Sequence, residues 1–392
     1  MHADMLPEHQ LCLLLLRGEF SPAVQKQALE LLDAPLRWPL LLRDARRYQI
    51  LPLLYRNLKT LDFPGIPDDT RSELANAFQV NAIRNQLFAR ELARILRLLG
   101  DARIPVMPLK GLALAESLYE DPALRVCADI DILVPTKNVV DAFHLIVSSG
   151  YRSEFAHSSL LDLVARYGKD CVLMREDSIC TYPLELHCGL MWGGLLERNL
   201  LDEIWAQADR KAFCGVPAWA LSPSWEFLYL AVHAARHGWL SLKWFVDLDR
   251  LCSRKTINWQ SVKEKAQLLG WEDAVRSSLS ACASLFGTQI NPVLCATEPP
   301  RRYRLPLSSD FQVPSEILFS IRLVKGPSRR LRFVAIRLFI PTIADCEFLP
   351  LPSSLFFLYY LLRPLRLACK TIGWFIQAEL KSVRHFLRTS TE

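Results

Sequence analysis

Over roughly the first hundred residues, apolar side chains recur at spacings of three and four with charged residues between them, the signature of packed helices. Ser21-Pro22 supplies an N-cap followed by proline in the first turn. The longest of these helices is expected to begin after Asp68-Asp69 and run to about Leu99, with Leu87, Leu92, Ile95 and Leu98 in its apolar stripe and Gly100 as its stop. The period then changes. Residues 104–108 read as a short strand, 111–119 as a turn or two of helix, and 129–134 as a strand in which apolar residues alternate with carboxylates. Pro135-Thr136 starts a helix that Gly150 ends, and further strands are expected at 171–175 and 179–187. After Ser222-Pro223 helices return at 225–237, 243–252, 259–269 and 271–286, before a Pro- and Arg-rich linker at 298–314. The fold class is therefore α+β, with a small mixed-sheet core between N- and C-terminal helical regions. Its expected parts are a helical region over 1–100, an α/β core over 101–220, a helical region over 221–297, and a linker with a basic amphipathic tail over 298–392.

Composition narrows this picture. With 392 residues, 51% of them apolar, the chain can bury a large core, and its 22% of charged residues excludes the profile of a disordered chain. Eleven cysteines without a CxxC pair or a zinc-module spacing are expected to be reduced thiols, which points to the cytoplasm. The apolar run at 11–16 is cut by Arg17, too short for a signal peptide, and the run at 355–362 is too short to span a bilayer. Of the net charge of +6, residues 318–392 hold 12 Lys/Arg against 4 Asp/Glu, so the remainder is slightly acidic. Basic residues mixed with Phe, Leu and Tyr in this tail suit three readings: peripheral contact with an anionic membrane, docking of an acidic partner, or a snorkelling face packed on the body.

Chemistry concentrates in residues 105–135. Asp129 and Asp131 stand at i and i+2 on an expected strand, so they project from one face, about 6–7 Å apart at Cα. Carboxylates inside the run ADIDILV destabilise the fold unless paired, and a hard divalent cation is a natural partner. Glu185 alternates with Leu184 and Leu186 on a later strand and faces away from their apolar layer, giving a third carboxylate. Lys110-Gly111, between strand and helix, is either a plain turn or a place where backbone N–H groups and the lysine meet a phosphate. His187 falls on the same side as Glu185, where it either touches the site or caps the sheet. His233 and His237 share the spacing of two metal ligands but lack the glutamate of a zinc protease, so His233, Lys243 and Asp247 are candidates for a substrate-side wall.

The glycine turn, the DxD strand and the single later acid together resemble the DNA polymerase beta-like nucleotidyltransferase superfamily. Within it, the chain is similar to a bacterial family of uncharacterised nucleotidyltransferases. The residues that carry the likeness are Leu109-Lys110-Gly111, YEDPALR at 119–125, DIDILV at 129–134, LELH at 184–187, and a His-rich helix followed by Trp244 and Asp247, with LPSSLFFLYYLLRPLRL at 351–367 also in keeping. The superfamily glycine is usually followed by serine or glycine, whereas Leu112 follows here, so a different phosphate grip is expected. Arg125 is the candidate for the missing donor, its alternative being a surface salt bridge to Glu120 or Asp121.

The resemblance implies transfer of a nucleoside monophosphate from a nucleoside triphosphate. Asp129, Asp131 and Glu185 would hold magnesium or manganese, and Lys110, Gly111 and Arg125 would hold the nucleotide. The acceptor would be a small molecule, glycan or peptide, as in polysaccharide or peptide-modification pathways. Nucleic acid is not expected, because the excess positive charge lies in the tail. The same metal site also suits phosphoryl transfer, and a degenerate site would suit a non-catalytic scaffold. The expected location is cytoplasmic, with the tail able to reach the inner membrane face.

Overall fold

The computed structural model describes residues 5–153, 158–167, 170–190, 198–294, 321 and 324–369. The linker expected at 298–314 lies outside the described residues. Four helices come first: α1 (Pro7–Leu16), α2 (Pro22–Leu32), α3 (Trp38–Arg47) and α4 (Leu51–Thr60). Pro22 opens α2 as expected, although the Ser21 side chain makes no capping hydrogen bond. Helix α5 (Asp68–Asp101) follows, about 50 Å long at 1.5 Å per residue. Its Leu74 packs with the N-terminal helices, while Phe88, Leu92, Ile95, Leu96 and Leu99 pack on the sheet.

Gly100 does not stop α5. The helix runs past it, and the left-handed position falls on Arg103 (φ 58°), whose neighbour Ile104 donates its N–H to the Leu99 carbonyl at 2.9 Å. This hydrogen bond satisfies an orphan carbonyl of the last turn, which offsets the roughly 1 kcal/mol that a non-glycine residue costs there.

The chain then lays down β1 (Met107–Pro108), α6 (Leu112–Leu118), β2 (Ile130–Leu133), α7 (Val139–Ser148), β3 (Arg152–Ser153), α8 (Ser158–Tyr167), β4 (Asp170–Glu176) and β5 (Thr181–His187). The five strands form one sheet in the order β1-β2-β5-β4-β3, with β2 and β5 parallel and the other pairs antiparallel. This is the mixed α+β arrangement that the sequence leads one to expect. After α9 (Arg198–Ala206), a hairpin of β6 (Asp209–Phe213) and β7 (Val216–Ala220) turns on Cys214-Gly215, both at positive φ, and Trp219 donates its backbone N–H to Val106 beside β1.

Alternation along β2 and β5 decides which side the site faces. Ile130, Ile132, Leu184 and Leu186 join the core beneath α5 and α7, which leaves Asp131, Glu185 and His187 on the opposite face. That face looks toward α10 (Pro223–Arg236) and α11 (Leu242–Arg254). Together with α12 (Trp259–Leu269) and α13 (Glu272–Phe286), these share one apolar core with the N-terminal helices. Further on, α14 (Pro327–Phe339), α15 (Ile343–Phe348) and a helix over 359–369 are placed through a third cluster, in which Ile336, Ile340, Phe356 and Tyr359 pack against Leu160 and Leu163 of α8. No helix among the described residues is long and apolar enough to cross a membrane.

Candidate functional site

The parallel pairing of β2 with β5 sets Asp131 opposite Glu185 and Leu133 opposite His187. Asp129 lies just before β2. The Asp131 side chain is completely buried, while Asp129 and Glu185 keep 30% and 28% of their side-chain surface exposed, so the acids lead from the floor of a cleft to its rim. Ligand atoms of Asp131, Glu185 and His187 all lie within 4.8 Å of one another. Asp129 stands outside that group, so the histidine on β5, rather than the first aspartate, completes the tightest cluster.

Lys110 reaches into this cluster from the bend before α6. Its Nζ is 2.7 Å from Asp131 Oδ1, 3.5 Å from Asp129 Oδ2 and 3.8 Å from Glu185 Oε2. His187 Nε2 lies 3.1 Å from the same Asp131 oxygen and 3.4 Å from Glu185 Oε2. The other Asp131 oxygen, Oδ2, is buried and has no hydrogen-bond partner. Burial works against the Lys110 ammonium, but Asp131 first, with Tyr229, Asp129 and Glu185, holds its pKa above the usual lysine range. Burial likewise opposes the His187 cation, yet its bonds to Asp131 and Glu185 push its pKa up to about 9. In return His187 lowers the Glu185 pKa, whereas burial and repulsion from Asp131 raise that of Asp129.

Gly111 adopts φ 62° and ψ −123°, a backbone conformation that side-chain-bearing residues avoid. A Cβ there would stand 3.3 Å from the Asp129 carbonyl oxygen, so the absence of a side chain is what lets the bend approach the acidic strand. The approach is fixed by the Leu109 N–H, which donates to the Asp131 carbonyl at 3.0 Å.

Arg125 does not reach the surface. Glu120 pairs instead with Arg56 and Arg254, and Asp121 caps the backbone of Ala123. The buried Arg125 guanidinium forms a two-pronged bond with Asp247 of α11 and donates from Nη1 to the Gly111 carbonyl at 3.1 Å. Asp247 also accepts from the Tyr119 hydroxyl at 2.7 Å. Among the candidate residues, Asp247 is therefore the one set behind the cleft, where it positions Arg125 and, through it, the glycine bend.

The cleft is a cavity of about 310 Å³. Opposite the acids its wall comes from α10 and α11 and carries His233, Arg236, His237, Lys243 and Trp244, with Tyr229 deeper and Gln49 at the edge. His233, His237 and Trp244 form an aromatic cluster with centroids 4.8–5.5 Å apart. Burial, and then Lys110, pushes the His233 pKa well below the usual value. Lys243 is hydrogen-bonded to Gln49 and to the Val126 carbonyl, and burial, then Arg125, pushes its pKa down to about 8. Thus Lys110, Gly111, Arg125, Asp129, Glu185, His187, His233 and Lys243 line one cavity, with Asp131 at its floor. Sequence reasoning missed Tyr229 and Arg236, although their spacing of four before and three after His233 puts all three on one helix face. It also missed Asp170, paired with His187 across β4 and β5, and Gln49, which nothing in its local sequence marks out.

Comparison with known proteins bears on the same segment. The model of a family described as "Uncharacterised nucleotidyltransferase" matches residues 34–287. No curated protein matches. A solved structure described as an antigenic nucleotidyltransferase-like protein from Paracoccidioides brasiliensis aligns at 14% identity and a TM-score of 0.30, over 51% of this chain and 96% of its own.

Proposed function

The chain belongs to this family of uncharacterised nucleotidyltransferases, and from that premise we propose that it transfers a nucleoside monophosphate from a nucleoside triphosphate to an acceptor, in the cleft between the β2–β5 acids and the α10–α11 wall. The observation that carries the reading is the cluster of two carboxylates and an imidazole made by Asp131, Glu185 and His187, in which the buried Asp131 Oδ2 has no hydrogen-bond partner. An unsatisfied buried acceptor costs about 1–3 kcal/mol, so the donor set fits a divalent cation. Asp131 and Glu185, with Asp129 at the rim and His187 beside them, would hold magnesium or manganese. Such an ion neutralises phosphate charge and acidifies an attacking hydroxyl.

The remaining work falls to the chain itself. Lys110 sits on a flexible stem and can exchange its carboxylate partners for phosphate oxygens. The Gly111 bend brings backbone close to the acids, where no side chain obstructs a triphosphate. Arg236 and Lys243 give the opposite wall a cationic character that suits the same anion, while Trp244 and His233 offer flat faces to a base. Arg125 and Asp247 keep the two walls in register.

The test is transfer of label from an alpha-labelled nucleoside triphosphate in a screen of sugars, glycans and peptides. Transfer is expected with the native chain and should vanish in Asp129→Ala/Asp131→Ala; transfer that persists in the variant contradicts the assignment. Label moved from the gamma position instead would identify a phosphoryltransferase.

One observation favours a second reading. The Lys110 ammonium already lies among the three acids, so in a non-catalytic scaffold it would stand permanently in place of the ion. A scaffold of this kind shows no divalent-dependent nucleotide binding.

A further inference from the structure

Among the described residues, eighteen large apolar side chains are exposed, and nine of them fall between 331 and 365: Leu331, Leu338, Phe339, Phe348, Leu349, Leu355, Phe357, Leu361 and Leu365. This concentration does not follow from a failure of the segment to pack. Helix α14 buries Phe333 and Ile336, and Ile336 joins the next residue beyond the helix, Ile340, in the cluster with α8. At 100° per residue, Leu331, Ala335 and Leu338 form a second stripe on the opposite side of the helix. That stripe faces outward and is flanked by Arg332 on one edge and by Arg330 and Arg337 on the other. Arg329, Arg330 and Arg332 are all exposed. The helix over 359–369 repeats the pattern, burying Tyr359 and Arg363 while Leu361 and Leu365 remain exposed.

Within residues 324–369 lysine and arginine outnumber the acids. Asp345 is buried and bound to Arg363, Arg366 and Thr342, which leaves Glu347 as the other acid of residues 324–369. A second copy docking through the same face would bring its own arginines against these, an unfavourable like-charge contact. An anionic lipid surface meets both requirements at once, taking the apolar stripe into the headgroup boundary and the arginines onto phosphates.

We propose that α14, together with the exposed apolar residues that follow it, adsorbs in the plane of an anionic bilayer and so holds the cleft at a membrane surface. The proposal stands independently of the reaction assigned to the cleft. It is tested by sedimenting the full chain with vesicles of phosphatidylcholine and phosphatidylglycerol, and with phosphatidylcholine alone. The chain is expected to pellet with the anionic vesicles, to release as salt rises, and to remain largely free of the neutral ones. Arg330→Gln/Arg332→Gln should weaken binding roughly 30-fold, at about fivefold per charge. Leu331→Glu/Leu338→Glu should abolish it while the circular dichroism and melting temperature of the native chain are kept. Failure to pellet with anionic vesicles overturns the proposal, as does unchanged binding by the leucine variant. It is also overturned if light scattering shows an oligomer that the leucine variant dissolves, because a second copy would then own the face.

Discussion

Arg125 and Asp247 form a fully buried ion pair, with Nε and Nη2 bonded at 2.9 and 2.8 Å to the two carboxylate oxygens, directly behind the glycine bend. Because the third guanidinium nitrogen donates to the Gly111 carbonyl, the pair ties helix α11 to the segment that borders the acids. Asp247→Ala leaves a buried cation unpaired and removes the acceptor of the Tyr119 hydroxyl, so it is expected to destabilise the chain by about 3–5 kcal/mol. Arg125→Met/Asp247→Leu should recover most of that loss. Denaturant unfolding checks both values. Nucleotide binding is expected to stay impaired in the double variant, since the Gly111 carbonyl then loses the Arg125 donor and keeps the Ala115 N–H of its own helix; normal binding would show that the pair serves packing alone.

Lys110 and the acids give a second prediction. Lys110→Met removes the ammonium 2.7 Å from the buried Asp131 carboxylate and should cost about 3–5 kcal/mol in chelator. If the acids take a divalent ion, added magnesium binds the folded variant and restores part of the melting temperature, more than it raises that of the native chain. Thermal unfolding with and without magnesium reads this directly. A melting temperature that magnesium raises in neither protein would mean that the acids take no divalent ion.

The bend itself can be tested at Gly111. Gly111→Ala places a methyl 3.3 Å from the Asp129 carbonyl oxygen at φ 62° and ψ −123°. A loss of about 1–3 kcal/mol is expected, with the bend displaced from β2. Unfolding measurements give the loss, and weaker nucleotide binding at a temperature where the variant is still folded would locate the damage in the cleft.

Lys243 predicts a pH dependence. Its pKa is pushed down to about 8 from an ordinary 10.5, so between these values the unfolded chain holds a proton that the folded chain has released. The penalty of the buried ammonium is thus complete below about pH 8 and fades as pH rises toward 10.5. Relative to Lys243→Met, the native chain should gain about 2–3 kcal/mol across that window. Denaturant unfolding of both proteins at pH 7 and near pH 10 measures the difference, and a pH-independent gap would contradict it.

Much of this architecture was legible in the sequence because strand and helix periods differ. Alternation turned Asp131 and Glu185 each away from the apolar layer of its own strand, and the core elements that periodicity predicts fall within a few residues of their expected places, while β3, α8 and α9 were not predicted. What escaped were relations made by tertiary packing. Arg125 reads as a surface or phosphate-facing side chain until Asp247, 122 residues later, is seen beside it. That Lys110 lies among all three acids is likewise a product of the fold that its place in the sequence does not show. The β6–β7 hairpin went unread because its turn is Cys214-Gly215, in which cysteine takes the positive-φ position usually marked by asparagine. Gly100 misled in the opposite sense, since Arg103 takes the left-handed position three residues later.

The claim on which the account rests is that Asp131 and Glu185 form a cation seat used for nucleotide binding. Calorimetric titration of a nucleoside triphosphate, with magnesium and then with chelator, tests it most directly. The account predicts one binding site with magnesium, at least about a hundredfold weaker binding in chelator, and loss of the magnesium-dependent site in Asp131→Asn/Glu185→Gln. Binding that is absent with magnesium, or equally strong without it, would contradict the account.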